Sequence, residues 1–582
     1  MTSPIGIDEA PPETQPDHAP RRTGLADPAG SRRAALRLAG IAGLSGVLAG
    51  CKLVKSRQPA VGAWLTTPSS TPLPPPTVTT TATPTTTVAP AGPPTALESV
   101  LIDKLTFGAT PALVAHVAAI GAPAFIDEQL AMTPSSGPVL TGLQTLTFDN
   151  LGRYQTVTAT GAPSADSFLP GELRQAALVR AVTAPAQLAE LMALSWANHF
   201  STYSGTDDKG VEFAAASDDR DAIRPHTMGR FADLLVASAQ TVGMMSYLDN
   251  RYSRANGTNM PNQNYARELM ELHTLGAFQG YGEADVASVS QVFSGWGVAG
   301  DYGSGTTTSF SFDPTAHFPG PITVTITDTV SGAPATWSTT GHGPSEGPAA
   351  LADGVDFLRF LAAQPNCARF LATKLTTRFL GDQAPAAVIA AAAAAYLAND
   401  TSITALLRSI FTSPALATSR HSKIRSPFEL LAAMVRSLGG TVATDGNGPI
   451  VGWIADFLGG LGQPLWGRKT PDGFPDHDTF WATTGAMLLR WRMAGYLSQN
   501  LVGGVTVNLT PLLPSPLPAT FGALTSAVAS SLTNTTFAPA DITTLLTAIG
   551  QQATTRPTQA TATAALPLLV TLVLSSPTFQ LR

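Results

Sequence analysis

The chain has 582 residues, of which 44% are hydrophobic and 13% charged, and a formal net charge of −6 at pH 7. This length and composition are sufficient for a large hydrophobic core. The isoelectric point near 5.9 and the absence of a basic stripe argue against nucleic acid as a partner, because such proteins neutralise phosphates with clustered Lys and Arg.

The first 51 residues have the pattern of an export signal. Arg32 and Arg33 precede an uncharged apolar run over residues 38–49, which is shorter than the roughly 20 residues that a membrane-spanning helix needs. This pattern resembles a twin-arginine signal, and the tetrapeptide Leu-Ala-Gly-Cys ending at Cys51 resembles a lipobox. The resemblance implies cleavage before Cys51, a lipid on its sulfur and an extracytoplasmic lipoprotein on the outer face of the cytoplasmic membrane. The alternative is an ordinary secretory signal with an incidental cysteine.

Residues 51–96 are expected to form a tether between this anchor and a folded domain. From Gln58 to Ala96 the chain carries no charged residue and is rich in Thr and Pro, a composition that favours extended chain over a packed core. The only other cysteine is Cys367, which a lipidated Cys51 would leave without a disulfide partner. We expect Cys367 to be a buried, inert thiol.

Residues 97–582 are predicted to form one large, mainly α-helical domain. Thr110 and Pro111 are typical of a helix start and Gly121 of a helix end, and an alanine-rich helix is expected over residues 386–398. Alternating Thr with Phe, Val or Ile near residues 303–340 predicts a small antiparallel β insertion. The remaining helical patterns cover roughly residues 172–183, 185–200, 229–240, 263–275, 283–294, 350–380, 401–412, 426–438, 479–500 and 540–551.

Five motifs between residues 196 and 296 follow one another in a specific order. They are Trp196-Ala197-Asn198-His199-Phe200, Ile223-Arg224-Pro225-His226-Thr227, Tyr247-Leu248-Asp249-Asn250, Asn264-Tyr265-Ala266-Arg267-Glu268-Leu269-Met270-Glu271-Leu272-His273 and Phe293-Ser294-Gly295-Trp296. Together they resemble the bacterial domain-of-unknown-function family 1800, from about Leu101 to at least Trp481. The resemblance implies an exported protein but no catalytic residue, because the family has no assigned activity.

The chain departs from the family pattern at two places. Residues 242–245 read Val-Gly-Met-Met where the family usually has Pro-Ala-Met-Leu. Gln263 stands where the family often has Glu, so a catalytic role for that glutamate would not extend to this chain.

A helix after Asn262 would place Glu268 and Glu271 on one face, where two carboxylates can share a proton or a cation. His199 and His226 could join them in an acid/base set or a metal site, Asp249 could add an oxygen ligand, and Arg224 could bind an anionic group. The candidate catalytic residues are therefore Glu268, Glu271, His199, His226, Asp249 and Arg224, and the candidate ligands of a divalent metal are His199, His226, Glu268 and Glu271.

Each candidate also has a structural interpretation. Arg267 could pair with Glu271 at i,i+4, His199 could be an imidazolium at a helix end, and Asp249 could belong to a turn. His226 could belong to a helix start, while His273, Trp196 and Trp296 are expected in the core. Looser candidate sets are Asp313 with His317, and Asp476-His477-Asp478.

The sequence contains no phosphate-binding loop, dinucleotide fingerprint, Gly-x-Ser-x-Gly elbow or Cys-x-x-Cys pair. Three hypotheses remain open. The favoured one is an envelope enzyme, hydrolytic or metal-assisted, that acts on a cell-surface or extracellular polymer. The others are an exported redox or metal-cofactor protein and a non-enzymatic surface binding or scaffold module, which would expose an apolar patch and have no closed polar pocket.

Overall fold

The computed structural model describes residues 95–135, 165–205, 209, 211–255, 260–300, 308–445 and 448–582. Arg32, Arg33, Cys51 and nearly all of the predicted tether lie outside the described residues, so the export signal and the lipid anchor stay predictions. Within the described ranges, no helix has both the length and the apolar character required to cross a bilayer.

The predicted mainly α-helical class is confirmed. The helices α1 to α12 are Ala96–Leu105, Pro111–Ile120, Ala122–Ala131, Ala165–Thr183, Gln187–His199, Val211–Asp218, Arg224–His226, Phe231–Ala239, Val242–Tyr247, Asn264–Glu268, Glu283–Val292 and Gly347–Ala362. The helices α13 to α24 are Pro365–Leu380, Ala386–Ala398, Ile403–Phe411, Pro414–Ala417, Pro427–Ser437, Pro449–Gly460, Asp478–Trp481, Thr484–Ser498, Phe521–Thr533, Pro539–Ala548, Gln559–Ser575 and Pro577–Gln580. Short 3₁₀ turns lie at Asn250–Tyr252, Pro344–Glu346 and Thr510–Leu512.

Local start and stop signals place several helix ends correctly. Thr110 accepts a hydrogen bond from the backbone N–H of Leu113, and Gly121 follows the last residue of α2 with φ +80°. The single helical pattern predicted over residues 350–380 is wrong, because it is two helices, α12 and α13. Gln364 is extended (ψ 141°) ahead of Pro365, since a residue before proline is sterically disfavoured in the α conformation.

Three two-stranded antiparallel sheets interrupt the helices. Strand β1 (Trp296–Ala299) pairs with β2 (Ser309–Phe312), β3 (Ile322–Thr327) with β4 (Pro334–Thr339), and β5 (Thr441–Val442) with β6 (Val505–Thr506). The predicted β insertion is thus present, and it begins earlier than expected, at Trp296. Ile322, Val324 and Ile326 of β3 point into the core and the intervening threonines point away from it, which is the period of two that the sequence showed.

Two π-helical segments depart from regular α geometry, at Asp219–Ile223 and Leu269–Thr274. The second follows α10 directly, and the backbone N–H of Leu275 donates to the carbonyl of Met270, five residues earlier. The α periodicity assumed for residues 263–275 therefore stops at Glu268. Each π turn holds more residues than an α turn, so the side chains that follow are rotated from their predicted directions.

One continuous core runs from Val100 to Leu416. Trp196 (2% exposed), Trp296 (0%) and His273 (1%) lie in the protein interior as predicted. His273 was expected to be a hydrogen-bonded core histidine, but its Nε2 has no hydrogen-bond partner among the described residues. Cys367 is fully buried, and burial raises the pKa of its thiol to about 12, so the predicted inert thiol is supported.

Candidate functional site

A cavity of about 520 Å³ lies where the C-terminal end of α5, the π segment Leu269–Thr274, helix α13 and the loop 463–481 meet. Its volume falls within the roughly 300–1,000 Å³ of small-molecule sites. Charged and aromatic side chains both contribute to its wall. The aromatic residues are Phe107, Trp196, Phe370, Phe428, Trp466, Phe474 and Trp481, and the ionisable ones are His199, Glu271, Lys374, Arg378, Glu429, Arg468, Asp472, Asp476 and His477.

His199 is the last residue of α5 and is 3% exposed. Its Nε2 lies 3.0 Å from the backbone carbonyl oxygen of His273. A carbonyl can only accept, so Nε2 carries the proton and Nδ1 is left as an acceptor. Burial, and then the charge of Lys374, lower the pKa of His199 well below its usual range. His199 is therefore a neutral imidazole with a fixed tautomer, and the interpretation of it as a helix-end imidazolium is wrong.

Lys374 donates to that acceptor. Its Nζ lies 2.9 Å from Nδ1 of His199 and 5.3 Å from the ring centre of Phe370, and its side chain is open to the cavity. Surrounding protein lowers the pKa of Lys374 to about 8, against the weaker opposing charges of Asp476 and Asp472. Among the described residues no carboxylate lies within 4 Å of this amine. With this pKa, roughly a tenth of Lys374 is an uncharged base at pH 7 and about half at pH 8.

Sequence reasoning did not select Lys374. The available signal was the rarity of lysine, because the chain has only seven: Lys52, Lys55, Lys104, Lys209, Lys374, Lys423 and Lys469. Lys374 lies between Phe370 and Phe379 in a helical pattern, but the partner that orients it is 175 residues away.

The predicted carboxylate pair is present, but only one member reaches the cavity. Glu271 lines the cavity, while Glu268 is half-buried beside it. Burial, and then the charge of Glu271, raise the pKa of Glu268, which is the coupling expected of neighbouring carboxylates. Arg267 does not pair with Glu271 as proposed. It forms two hydrogen bonds to Glu283, at 2.7 and 2.8 Å.

The π segment explains both the position of Glu271 and the state of His199. His273 lies in the last turn of Leu269–Thr274, so its carbonyl has no partner within the helix and accepts from His199. The same segment places Glu271 at the cavity wall. π segments of this kind occur often at functional sites, because they release backbone groups and redirect side chains.

Two further carboxylates that line the cavity, Asp472 and Asp476, belong to the loop 463–481. Asp472 accepts from Arg468 (2.8 and 3.1 Å) and from Thr470, and these contacts hold the pKa of Asp472 below its usual range although burial acts in the opposite direction. Asn198, one residue before His199, binds both the N–H and the carbonyl of Phe474. The loop is therefore fastened to the same helix end that carries the imidazole.

A buried ion-pair network forms the floor of the cavity. Glu429 contacts Arg378 (2.7 Å) and Arg582 (3.5 Å), and Asp476 contacts Lys423 (3.1 Å). The pKa of Glu429 lies below its usual range, because the charges of Arg582 and Arg378 outweigh the effect of burial. The looser candidate set at residues 476–478 thus contributes Asp476 and His477 to the cavity, whereas Asp478 accepts from the backbone of Ile424.

The remaining predicted residues lie elsewhere. Arg224 is buried in an ion pair with Glu190 (2.5 Å) and donates to the carbonyl of Ser135, so it holds structure and is not placed to bind a ligand. Asp249 pairs with Lys209 at 2.8 Å in a left-handed turn (φ +59°), as the turn interpretation expected. His226 is partly exposed and does not line the cavity.

The predicted metal set is not assembled. Across the described residues, no three His, Cys, Asp or Glu side chains are close enough to hold one ion. Both ring nitrogens of His199 are already hydrogen-bonded, and His226 is outside the cavity. The other loose set is structural, since Asp313 pairs with Arg254 and Nδ1 of His317 is 2.9 Å from the carbonyl of Ser294.

The fold and cavity define a mainly α-helical protein with a lysine–histidine pair in a cavity at the junction of two helices, a π segment and a long loop. The chain belongs to the DUF1800 family, described as proteins of unknown function, whose model matches residues 100–581. A search of curated proteins and a search of solved structures returned no match.

Proposed function

We propose that the protein is an extracytoplasmic, lipid-anchored enzyme that hydrolyses a cell-surface or extracellular polymer, with Lys374 as general base. The observation that carries the proposal is the contact between Lys374 Nζ and Nδ1 of neutral His199 at the wall of the cavity. The aromatic and charged lining also favours an enzyme over a surface scaffold, for which no closed polar pocket was expected.

In this reaction the uncharged Lys374 amine takes a proton from a water molecule as that water attacks the scissile bond. His199 fixes the direction of the amine, because its Nδ1 accepts one N–H and leaves the lone pair to the cavity. A base with a pKa near the working pH is effective, and the value of about 8 for Lys374 is in that range. The Lys374 ammonium formed in this step returns the proton to the leaving oxygen as the scissile bond breaks, and we assign to the Glu271 carboxylate in the same cavity the orientation of the attacking water.

The test is hydrolysis by the purified full-length chain of a panel of polysaccharides and polyesters, scored by released reducing ends or acid. Lys374→Met should lower kcat by about 100-fold or more, the usual contribution of a general base. Lys469→Met is the matched control, because Lys469 is exposed on the neighbouring loop and should be dispensable. Full activity in Lys374→Met, at an unchanged melting temperature, would rule out the assignment.

A further inference from the structure

Phe278 is the most exposed of the large hydrophobic side chains in the described residues, at 83%. Its backbone is left-handed, with φ +57°. A left-handed backbone destabilises a bulky residue, whereas Gly and Asn adopt it readily. Phe278 therefore has a strained backbone and an almost fully exposed ring, and packing within the described fold does not explain why a phenylalanine stands at this position.

The loop that carries Phe278 is held rigidly. Gly276 and Gly280 both have positive φ, and a Cβ at Gly280 would lie 1.9 Å from the carbonyl oxygen of Thr327. The N–H of Thr327 donates to Gly280, and Asn366 Nδ2 donates to the carbonyl of Gln279. The outward direction of Phe278 is thus set by the surrounding structure.

This loop is at the edge of the cavity. Ala277 lines the cavity, and Gly276 packs against the ring of Phe370, which also lines it. Tyr281 forms a hydrogen bond with the backbone of Phe278. Burial raises the pKa of Tyr281, and the nearby carboxylate of Glu271 raises it further. Phe278 therefore lies at the edge of the cavity on the side of Tyr281 and Glu271, and it is not one of the residues that line the cavity.

We infer that Phe278 is a substrate-positioning residue that stacks a sugar ring of a polysaccharide whose chain continues out of the cavity. The inference rests on the proposed function and narrows its polymer to a carbohydrate. The C–H face of a pyranose packs on aromatic rings, and its hydroxyls bond to carboxylates and guanidinium groups. The cavity offers both, with Trp466 and Phe474 beside Arg468 and Asp472.

The experiment measures binding of hexasaccharides and disaccharides of the cellulose, chitin, xylan and arabinan series by titration calorimetry. It uses the full-length Lys374→Met chain, so that binding is scored without cleavage. For the series that binds, Phe278→Asn should weaken the hexasaccharide about tenfold and leave the disaccharide unchanged. Phe278→Trp should retain hexasaccharide affinity. Val330→Asn, which removes another exposed apolar side chain (76%), is the matched control and should change neither.

The melting temperature of Phe278→Asn should equal or exceed that of the parent, because Asn tolerates the left-handed backbone. A loss of stability greater than that of Val330→Asn would make the ring structural and overturn the inference. Equal hexasaccharide affinity with and without Phe278, or no binding of any hexasaccharide, would also overturn it. A failure of Lys374 as the base is a separate outcome, because it would appear as hydrolysis by the Lys374→Met chain, whereas the comparison of Phe278 variants is made within that one background.

Discussion

Lys374 Nζ and His199 Nδ1 are 2.9 Å apart, and the hydrogen bond from His199 Nε2 to the carbonyl of His273 makes the lysine the donor in this contact. A lysine paired with a carboxylate would keep its charge. The surrounding protein lowers the pKa of Lys374 to about 8 against the weaker opposing charges of Asp476 and Asp472, so part of the amine is uncharged near that pH.

Chemical labelling should therefore single out Lys374. An amine reacts only when deprotonated, so its acetylation rate should rise with pH through a midpoint of about 8. Exposed Lys469 serves as the reference amine. Competitive labelling followed by peptide mass spectrometry measures both residues in one sample. Coincident midpoints would show that the cavity does not depress the pKa of Lys374.

Glu429→Gln should destabilise the protein by about 3–5 kcal/mol. The substitution leaves Arg378 and Arg582 as buried cations without their common carboxylate. Urea unfolding of the variant and the parent gives the difference. Glu283→Gln is the control, because it breaks an ion pair with Arg267 at the surface and should hardly move the transition. Similar transitions for the two variants would mean that the floor network contributes no more than a surface pair.

Gly243→Ala should cost about 1–3 kcal/mol, although the family resemblance expects alanine at this position. The added Cβ would lie 2.1 Å from Oδ2 of Asp218, which accepts a hydrogen bond from the N–H of Gly243. Gly243, where the family resemblance expects alanine, thus leaves the space that the carboxyl group of Asp218 occupies.

A double-mutant cycle tests this pairing, because Gly243→Ala should cost little once Asp218 is alanine. Gly452→Ala in α18 is the helical control, since no atom lies within 4 Å of its added Cβ. That variant should be neutral or slightly stabilising. An equal cost of Gly243→Ala with and without Asp218 would exclude the proposed clash.

His273 should make the fold acid-sensitive. Burial lowers its pKa to about 3 from an ordinary value of 6.5. Because the folded-state pKa is the lower one, the contribution to the free energy of unfolding is complete above pH 6.5 and is lost as the pH falls toward 3. At 1.36 kcal/mol per unit, the loss from this residue between pH 6.5 and 4 is about 3 kcal/mol.

The measurement is the free energy of unfolding of the parent and of His273→Leu at pH 7 and pH 4. Carboxylates and His199 contribute to the pH dependence of both proteins, so the difference between their slopes isolates His273. Parallel slopes would show that His273 titrates normally in the folded chain.

Helix ends were the most predictable features of this fold. The helix Pro111–Ile120 is bounded by a side-chain cap from Thr110, the fixed φ of Pro111 and the positive φ of Gly121. Each of these acts on neighbouring residues, so its effect can be predicted from the local sequence. The alternation of β3 and the alanine-rich helix at residues 386–398 were predictable for the same reason. The π segment was not, since the α period of 3.6 was extrapolated through Leu269–Thr274.

The features of the candidate site also divide into those that the sequence predicts and those that depend on packing between distant segments. The amino-acid sequence by itself determined the helical class, the membership of the family and the density of polar residues around His199, Glu268 and Glu271. Only the tertiary structure decided that Arg224 forms a buried ion pair with Glu190. It likewise decided that Glu271 lines the cavity while Glu268 lies beside it. It also decided that Lys374 meets His199 across 175 residues of chain. Caps and periodicity act within a few residues, whereas burial, ion pairing and pKa depend on segments that packing alone brings together.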